Sequence, residues 1–119
     1  MIKTSYGEVR PFRTKDGSEI RELLHPSAHG DIRQSFAEAV VAPGAGTALH
    51  RHRTSEEIYH ITNGTGVMTL ANESFTVGVG DSILIPPGTS HCIRNTGNDS
   101  LHILCACAPA YSDNDTELL

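Results

Sequence analysis

Residues 50–60 read HRHRTSEEIYH, which places three histidines and two glutamates within eleven positions. On a helix, the side chains of His50 and His52 would project about 200° apart, because each residue turns the helix by about 100°. On a β-strand the two side chains lie on one face and can reach a common metal ion at about 2.0–2.1 Å. The spacing therefore predicts a strand that carries part of a metal site.

Glu57 follows His52 after a short polar stretch that predicts a turn. An antiparallel return strand would bring the carboxylate of Glu57 back beside the two histidines. Two histidines and one carboxylate form a ligand set typical of first-row divalent metals. Glu56 has the opposite strand parity and is predicted to be solvated, but a one-residue slip in register would exchange the roles of Glu56 and Glu57.

A fourth ligand is predicted from residues 80–95, which read GDSILIPPGTSHCIRN. The strand at the start of this segment ends at two prolines, which lack the N–H group that a β-ladder needs. Gly88 permits the positive φ of a tight turn, and the chain re-enters the sheet at His91. Because one strand pair covers only one side of an ion, His91 is predicted to complete the site from a separate segment.

The rest of the chain predicts many short strands. From residue 18 onward, apolar and polar residues alternate with a period of two, and one such run covers residues 32–42. Glycine-, proline- and asparagine-rich turns separate the runs. Only the tail, SDNDTELL, can begin a short helix, with Ser112 or Asp113 as its N-cap. The pattern indicates an all-β sandwich, barrel or jelly roll.

A length of 119 residues suits one domain with its own core and is too short for two. We predict an N-terminal arm or edge strand over residues 1–17, which can pack on a partner subunit. A β-barrel is predicted over residues 18–110 and a C-terminal tail over residues 111–119.

Composition disfavours several classes of partner. The net charge of −5 argues against nucleic acid and against an anionic membrane surface. No apolar run approaches transmembrane length, and the first ten residues lack the apolar segment of a signal peptide. We therefore expect a cytoplasmic protein with no membrane or nucleic-acid partner.

The three cysteines do not resemble a disulfide framework, because their number is odd. On a strand, Cys105 and Cys107 lie about 6.5–7 Å apart, at or beyond the Cα separation that a disulfide tolerates. We expect free thiols, with these two as small core residues. A thiolate ligand role is the minor alternative.

The two histidine-bearing segments resemble the two sequence motifs of the cupin superfamily. Residues 44–64, GAGTALHRHRTSEEIYHITNG, match the spacing Gly-x5-His-x-His-x4-Glu-x6-Gly, and residues 80–95 match Gly-x5-Pro-x-Gly-x2-His-x3-Asn. Fifteen residues lie between the motifs, a short spacing similar to that of small single-domain cupins. The resemblance implies a double-stranded β-helix, which is a jelly-roll barrel, and a homodimer. It also implies four metal ligands inside one end of the barrel: His50, His52, Glu57 and His91.

This ligand set favours an exchangeable metal. Six-coordinate Mn, Fe, Co or Ni would keep two positions for water or substrate, whereas tetrahedral Zn with four protein ligands would be nearly closed. The resemblance implies an enzyme that acts on a small oxygen-bearing molecule by isomerase, decarboxylase or dioxygenase chemistry. A non-catalytic module that binds or senses a metabolite through its metal is the alternative.

Sugar phosphates, the substrates of mannose-6-phosphate isomerase-like cupins, would need cationic side chains in the pocket. Only Arg21 and Arg33 are candidates, so a small and partly apolar ligand is favoured. Tyr59 should face the interior two residues after Glu57, either as core or as a hydrogen-bonding partner of the substrate. Glu38 lies on a predicted apolar strand face, where it either pairs with Arg21 or Arg33 or acts as a general acid or base in the pocket.

Overall fold

The computed structural model describes residues 1–30 and 33–119, and β-strands make up most of their regular secondary structure. The strands are β1 (Phe12–Arg13), β2 (Glu19–Leu24), β3 (Ser35–Val41), β4 (His50–His52), β5 (Glu56–Asn63), β6 (Thr65–Leu70), β7 (Glu73–Gly78), β8 (Ser82–Ile85), β9 (His91–Asn95), β10 (Leu101–Ala108) and β11 (Thr116–Leu118). One short helix, α1 (Pro26–His29), follows β2. The predicted strand over residues 32–42 is observed as β3, and its first residue, Ile32, lies outside the described residues.

The strands form two antiparallel sheets. The larger has the order β1-β2-β3-β10-β5-β8 and the smaller the order β11-β4-β9-β6-β7. The chain passes from one sheet to the other after β3, β4, β5, β7, β8, β9 and β10, as in a jelly roll. The predicted all-β jelly roll is confirmed, although each sheet has two edge strands and the barrel is therefore a sandwich of open sheets.

The core lies between the two sheets. Strand β10 shows how the sequence builds it, because Leu101, Ile103, Cys105 and Cys107 are buried while the alternate residues are half-buried or exposed. The side chains of Leu101, Ile103 and Cys105 join those of the smaller sheet, such as Met68, in one apolar cluster. A period of two thus places one face of each strand in the core. All three cysteines are free, as predicted.

The two chain ends add strands to the sheets. Strand β1 pairs with β2 at the edge of the larger sheet. The predicted tail helix is only a single 3₁₀ turn, Asp113–Asp115, which follows Ser112. The next three residues pair with His50–His52 as β11, because the edge of β4 offers backbone hydrogen bonds that a longer helix could not use.

Among the described residues, no helix has the length and apolar character needed to span a bilayer.

Candidate metal centre

Three buried histidines converge between the sheets. His50 and His91 are paired residues of the neighbouring strands β4 and β9, and His52 lies two residues further along β4 on the same face. One nitrogen from each ring lies within 4.8 Å of the others. The ring centroids of His50 and His91 are 4.2 Å apart, and His52 lies 5.3 and 5.4 Å from these two. The cluster is able to hold a metal ion.

The second nitrogen of each ring fixes its tautomer. Nδ1 of His50 lies 2.7 Å from the Ala48 carbonyl oxygen, and Nδ1 of His91 lies 3.0 Å from the Thr89 carbonyl oxygen. Since carbonyl groups only accept, both Nδ1 atoms carry the hydrogen. In the neutral rings this leaves the Nε2 lone pairs free to bind a metal, and Nε2 of His91 is buried with no hydrogen-bond partner among the described residues.

His52 is oriented by the C-terminal tail. Its Nδ1 lies 2.9 Å from Oγ1 of Thr116, a residue of β11. The same hydroxyl donates to the Ser112 carbonyl at 2.8 Å, so it accepts the Nδ1 hydrogen of His52. Nε2 of His52 is therefore also left as an acceptor.

Glu57 brings a buried carboxylate to the same place. It lies on β5 of the opposite sheet, and its Oε1 is 3.1 Å from Nε2 of His52 and 3.5 Å from Nε2 of His91. Burial alone would raise the pKa of Glu57, but the imidazoles of His52 and His91 beside its carboxylate outweigh burial and hold the pKa at about 2. The carboxylate is thus ionised at neutral pH. The neighbouring Glu56 is exposed.

The electrostatics of the cluster favour neutral imidazoles, which are the form that binds a metal. Burial lowers the pKa of His50, and the nearby His91 lowers it further, so its imidazole is neutral at neutral pH. The Nε2 lone pair of neutral His52 would face the anionic Glu57 at 3.1 Å, which needs a proton or a cation between the two atoms. A divalent metal fits this donor set.

His50 and His52 line a cavity that opens to solvent, with about 570 Å³ of empty space when the opening itself is included. Its walls carry apolar side chains from both sheets, among them Ile20, Ile93 and Ile103. Tyr59 also lines the cavity, with its ring centroid 6.0 Å from that of His91. Burial raises the pKa of Tyr59 well above its ordinary value, so the phenol is neutral and able to donate a hydrogen bond.

Glu38 is not among the described residues that line the cavity, and its catalytic role stays a prediction. Its strand neighbours Ala37 and Ala39 line the cavity, so its own side chain projects from the outer face of β3. There it accepts a hydrogen bond from the Tyr6 hydroxyl at 2.5 Å and lies 3.3 Å from Nδ1 of His102. Arg21 was a predicted partner of Glu38, but it donates at 3.0 Å to the hydroxyl of Tyr6, which in turn donates to Glu38. Glu38 is thus a paired carboxylate on the outer face of the larger sheet.

Two further residues lie close to the centre: Asp16, which the sequence did not place there, and Cys107, for which a ligand role was only the minor alternative. Oδ2 of Asp16 lies 3.6 Å from Nε2 of His50, and the Cys107 thiol donates to Oε2 of Glu57 at 3.1 Å. The sequence around Asp16, TKDGS, indicates a turn but not where that turn packs. Strand parity predicts that Cys107 is buried, but only the pairing of β10 with β5 places it opposite Glu57.

Comparison with known proteins agrees with this architecture. A family model described as a cupin domain matches residues 37–107. The chain belongs to the cupin family.

Relatives of this cupin include proteins with oxalate in their names. An uncharacterized protein of Methanocaldococcus jannaschii is 56% identical over 119 residues, covering 100% of this chain and 95% of that protein. An oxalate-binding protein of Thermotoga maritima is 35% identical over 86 residues, covering 72% of this chain and 71% of that protein.

Solved structures show the same fold. A predicted oxalate decarboxylase from Thermotoga maritima superposes with a TM-score of 0.78 and 31% identity, covering 92% of this chain and 99% of that one. A variant of oxalate decarboxylase from Bacillus subtilis superposes with a TM-score of 0.82 and 25% identity, and this cupin covers 32% of its length.

We predict that Cys107→Ala destabilises the metal-free protein by about 1–3 kcal/mol, because it leaves the buried Oε2 of Glu57 without its donor. Cys107→Ser keeps a donor and should recover part of the loss. Urea unfolding at pH 7 in the presence of a chelator measures the difference.

Cys105→Ala is the matched control, because Cys105 is equally a buried thiol of β10 but donates to the Ile103 carbonyl oxygen at 3.7 Å instead of to Glu57. Equal losses in Cys105→Ala and Cys107→Ala, with no recovery in Cys107→Ser, would show that only packing volume matters.

Proposed function

We propose that this cupin holds a divalent transition metal through His50, His52, His91 and Glu57. The observation that carries the proposal is the unpartnered, fully buried Nε2 of His91, which shares its surroundings with two further imidazoles and an anionic carboxylate. A buried polar atom without a partner costs free energy, and a cation removes that cost. The proposed metal is Mn, Fe, Co or Ni, because six-coordination would leave two positions open to the cavity; Zn suits a closed site better.

We further propose that the metal-loaded protein is an enzyme for a small oxygen-bearing organic molecule, of the isomerase, decarboxylase or dioxygenase type. When bound, the ion supplies Lewis acidity or a binding site for dioxygen. The chain itself would bind the carbon skeleton against the apolar walls, exclude water, and donate a hydrogen bond from the neutral hydroxyl of Tyr59. The relatives named as oxalate-binding and oxalate decarboxylase proteins support a small carboxylate ligand.

A phosphorylated sugar has less support. Among the described residues that line the cavity there is no lysine or arginine. Arg21 instead lies with its guanidinium 4.6 Å from the centre of the Tyr6 ring, beside Glu38 on the outer face of the larger sheet. A phosphate would therefore meet the metal alone, without the basic partner that phosphate groups usually have.

A non-catalytic binding module is the second candidate. The name of the Thermotoga maritima relative, oxalate-binding protein, favours this candidate. The two candidates differ in turnover and not in the site, since both need the metal and the cavity.

We predict that His91→Ala and His50→Ala proteins lose the metal while keeping the fold. Purified protein reloaded with Mn²⁺ and dialysed should retain about one ion per chain, and each variant should retain less than about a tenth of that. Elemental analysis measures the ion, and far-ultraviolet circular dichroism with thermal unfolding checks the fold.

The matched control is His60→Ala, because His60 lies on the outer face of β5 and contacts the Ser82 hydroxyl at 2.8 Å. Retention of the ion by His91→Ala, or its loss from His60→Ala, would contradict the proposed ligand set. Unfolding of the parent protein on chelation would identify a structural ion instead.

Turnover distinguishes the two candidates. Metal-loaded protein incubated with small carboxylic acids, hydroxy acids and sugars should consume oxygen, release carbon dioxide or exchange solvent deuterium with at least one of them. The His91→Ala protein should be inactive with the same compound. Tight binding in a thermal-shift screen with no product for any compound would favour the binding module.

A second copy of the chain is the proposed protein partner. Phe36, Ala106, Ile58 and Leu84 are cross-strand neighbours and form an apolar row over four strands on the outer face of the larger sheet. The side chains of Phe36, Ile58 and Leu84 are 37%, 44% and 54% exposed. An exposed apolar row on a sheet face favours a self-complementary contact, in agreement with the dimer implied by the resemblance.

We predict that the protein is a dimer and that the double substitution Ile58→Glu and Leu84→Glu makes it a monomer, because four charges would face each other in a symmetric interface. Light scattering after size-exclusion chromatography should show the mass halved. Val79→Glu is the control, since Val79 is 67% exposed but lies in the turn between β7 and β8. A monomeric parent protein would exclude the proposed interface.

A further inference from the structure

The N-terminal turn at residues 14–18 is built to orient one carboxylate. The amide of Gly17 donates to the Thr14 carbonyl at 3.0 Å, and Gly17 supplies the positive φ of 92° that the turn requires. Oδ1 of Asp16 accepts from the Thr14 hydroxyl at 2.7 Å, from the Ser18 amide at 3.0 Å and from the Ser18 hydroxyl at 2.7 Å. Three donors to one oxygen fix the plane of the Asp16 carboxylate.

This turn is fixed to the metal centre from two sides. The Ala48 amide donates to the Asp16 carbonyl at 2.8 Å, directly before β4. The ammonium group of Lys15 donates to the carbonyl oxygens of Asp113 and Thr116 in the C-terminal tail at 2.8 and 3.1 Å. Since β4 and the tail also position His50 and His52, the turn belongs to the same rigid frame as the histidines.

The other oxygen of Asp16 has no donor. Oδ2 lies 3.6 Å from Nε2 of His50, which is too long for a hydrogen bond, and no other described residue donates to it. Only 12% of the side chain is exposed, and Asp16 lines the cavity together with Thr14 and Ser18. A partly buried, oriented acceptor thus faces the cavity in which a molecule bound to the metal would lie.

The charged residues of the cavity also favour a ligand that donates a hydrogen bond. Its described lining contains three acids, Asp16, Glu22 and Glu57, and neither lysine nor arginine. Glu57 offsets one charge of a divalent ion, and Asp16 offsets the other. A dianion would therefore enter a cavity with no net positive charge to attract it, whereas a ligand that donates a hydrogen bond would satisfy Oδ2 of Asp16.

We propose that Asp16 is a specificity-determining residue that accepts a hydrogen bond from the metal-bound ligand and selects hydroxycarboxylates over dicarboxylates. The inference rests on the proposed metal site and names its ligand class. A hydroxyl group bound to a metal is a strengthened donor, and a hydroxycarboxylate offers it next to a carboxylate that chelates the same ion. Oxalate at neutral pH has only acceptors and places negative charge beside Asp16.

The test compares glycolate with oxalate, which have equal numbers of carbon atoms and differ in one group. Asp16→Asn keeps the Oδ1 acceptor of the turn and replaces the free oxygen with an uncharged donor. Calorimetric titration of Mn²⁺-loaded protein should show that the parent protein binds glycolate more tightly than oxalate. In Asp16→Asn the ratio of the two dissociation constants should shift toward oxalate by about tenfold or more, because a like charge is removed.

Glu19→Gln is the matched control, because it removes the same charge from β2 at a position outside the cavity lining. In Glu19→Gln the ratio of the glycolate and oxalate dissociation constants should equal that of the parent protein. An equal shift of this ratio in both variants would show that net charge alone is responsible. Thermal unfolding of each variant checks that the turn is intact. If a folded Asp16→Asn protein still holds Mn²⁺ and has the same ratio of dissociation constants as the parent protein, the specificity role of Asp16 is overturned while the metal site stands.

Loss of Mn²⁺ from Asp16→Asn would make Asp16 a metal ligand and overturn its role in specificity. Failure of the parent protein to bind Mn²⁺ would overturn the metal site itself, and the specificity proposal with it. Metal content is therefore measured on every sample before the titrations.

Discussion

Four buried groups with lone pairs face one another at the centre of this molecule, and the site depends on what lies between them. Backbone carbonyls and the Thr116 hydroxyl occupy Nδ1 of the three histidines, so the Nε2 atoms converge as acceptors. The carboxylate of Glu57 joins them, with a pKa held at about 2. Acceptors at distances of 3.1 to 3.5 Å repel unless a proton or cation is shared. The fold stabilises an arrangement whose charges are balanced only when a proton or a metal cation lies between these groups.

The jelly roll is suited to assembling such a site, because both of its sheets contribute. Strands β4 and β9 are adjacent in the smaller sheet and bring His50 and His91 together across the pair. Glu57 reaches the same point from β5 of the larger sheet. The space between the sheets then widens into the cavity, where apolar walls and Tyr59 surround any molecule bound at the centre.

The chain ends have a larger part in the site than their position in the sequence indicates. The C-terminal tail places Thr116 against His52 and Tyr111 against the edge of the same ring, with centroids 5.7 Å apart. The N-terminal turn presents Asp16, and Lys15 ties that turn to the tail. Both ends thus fix the side of the site formed by β4. The negative charge on that side comes from Asp16, which lies outside the two histidine-bearing segments.

The sequence by itself determined the strands and which of their side chains share a face, because an alternating pattern has only two faces to assign. That was sufficient to predict the grouping of His50, His52, Glu57 and His91 and the inward position of Tyr59. It was not sufficient for Glu38, whose burial comes from Tyr6 of the N-terminal arm covering the outer face of the sheet. Only the tertiary structure placed Asp16 and Cys107 at the centre and made the tail a strand. These contacts join segments between 32 and 101 residues apart, such as Tyr6 with Glu38 and Lys15 with Thr116, and local pattern carries no information about such distant packing.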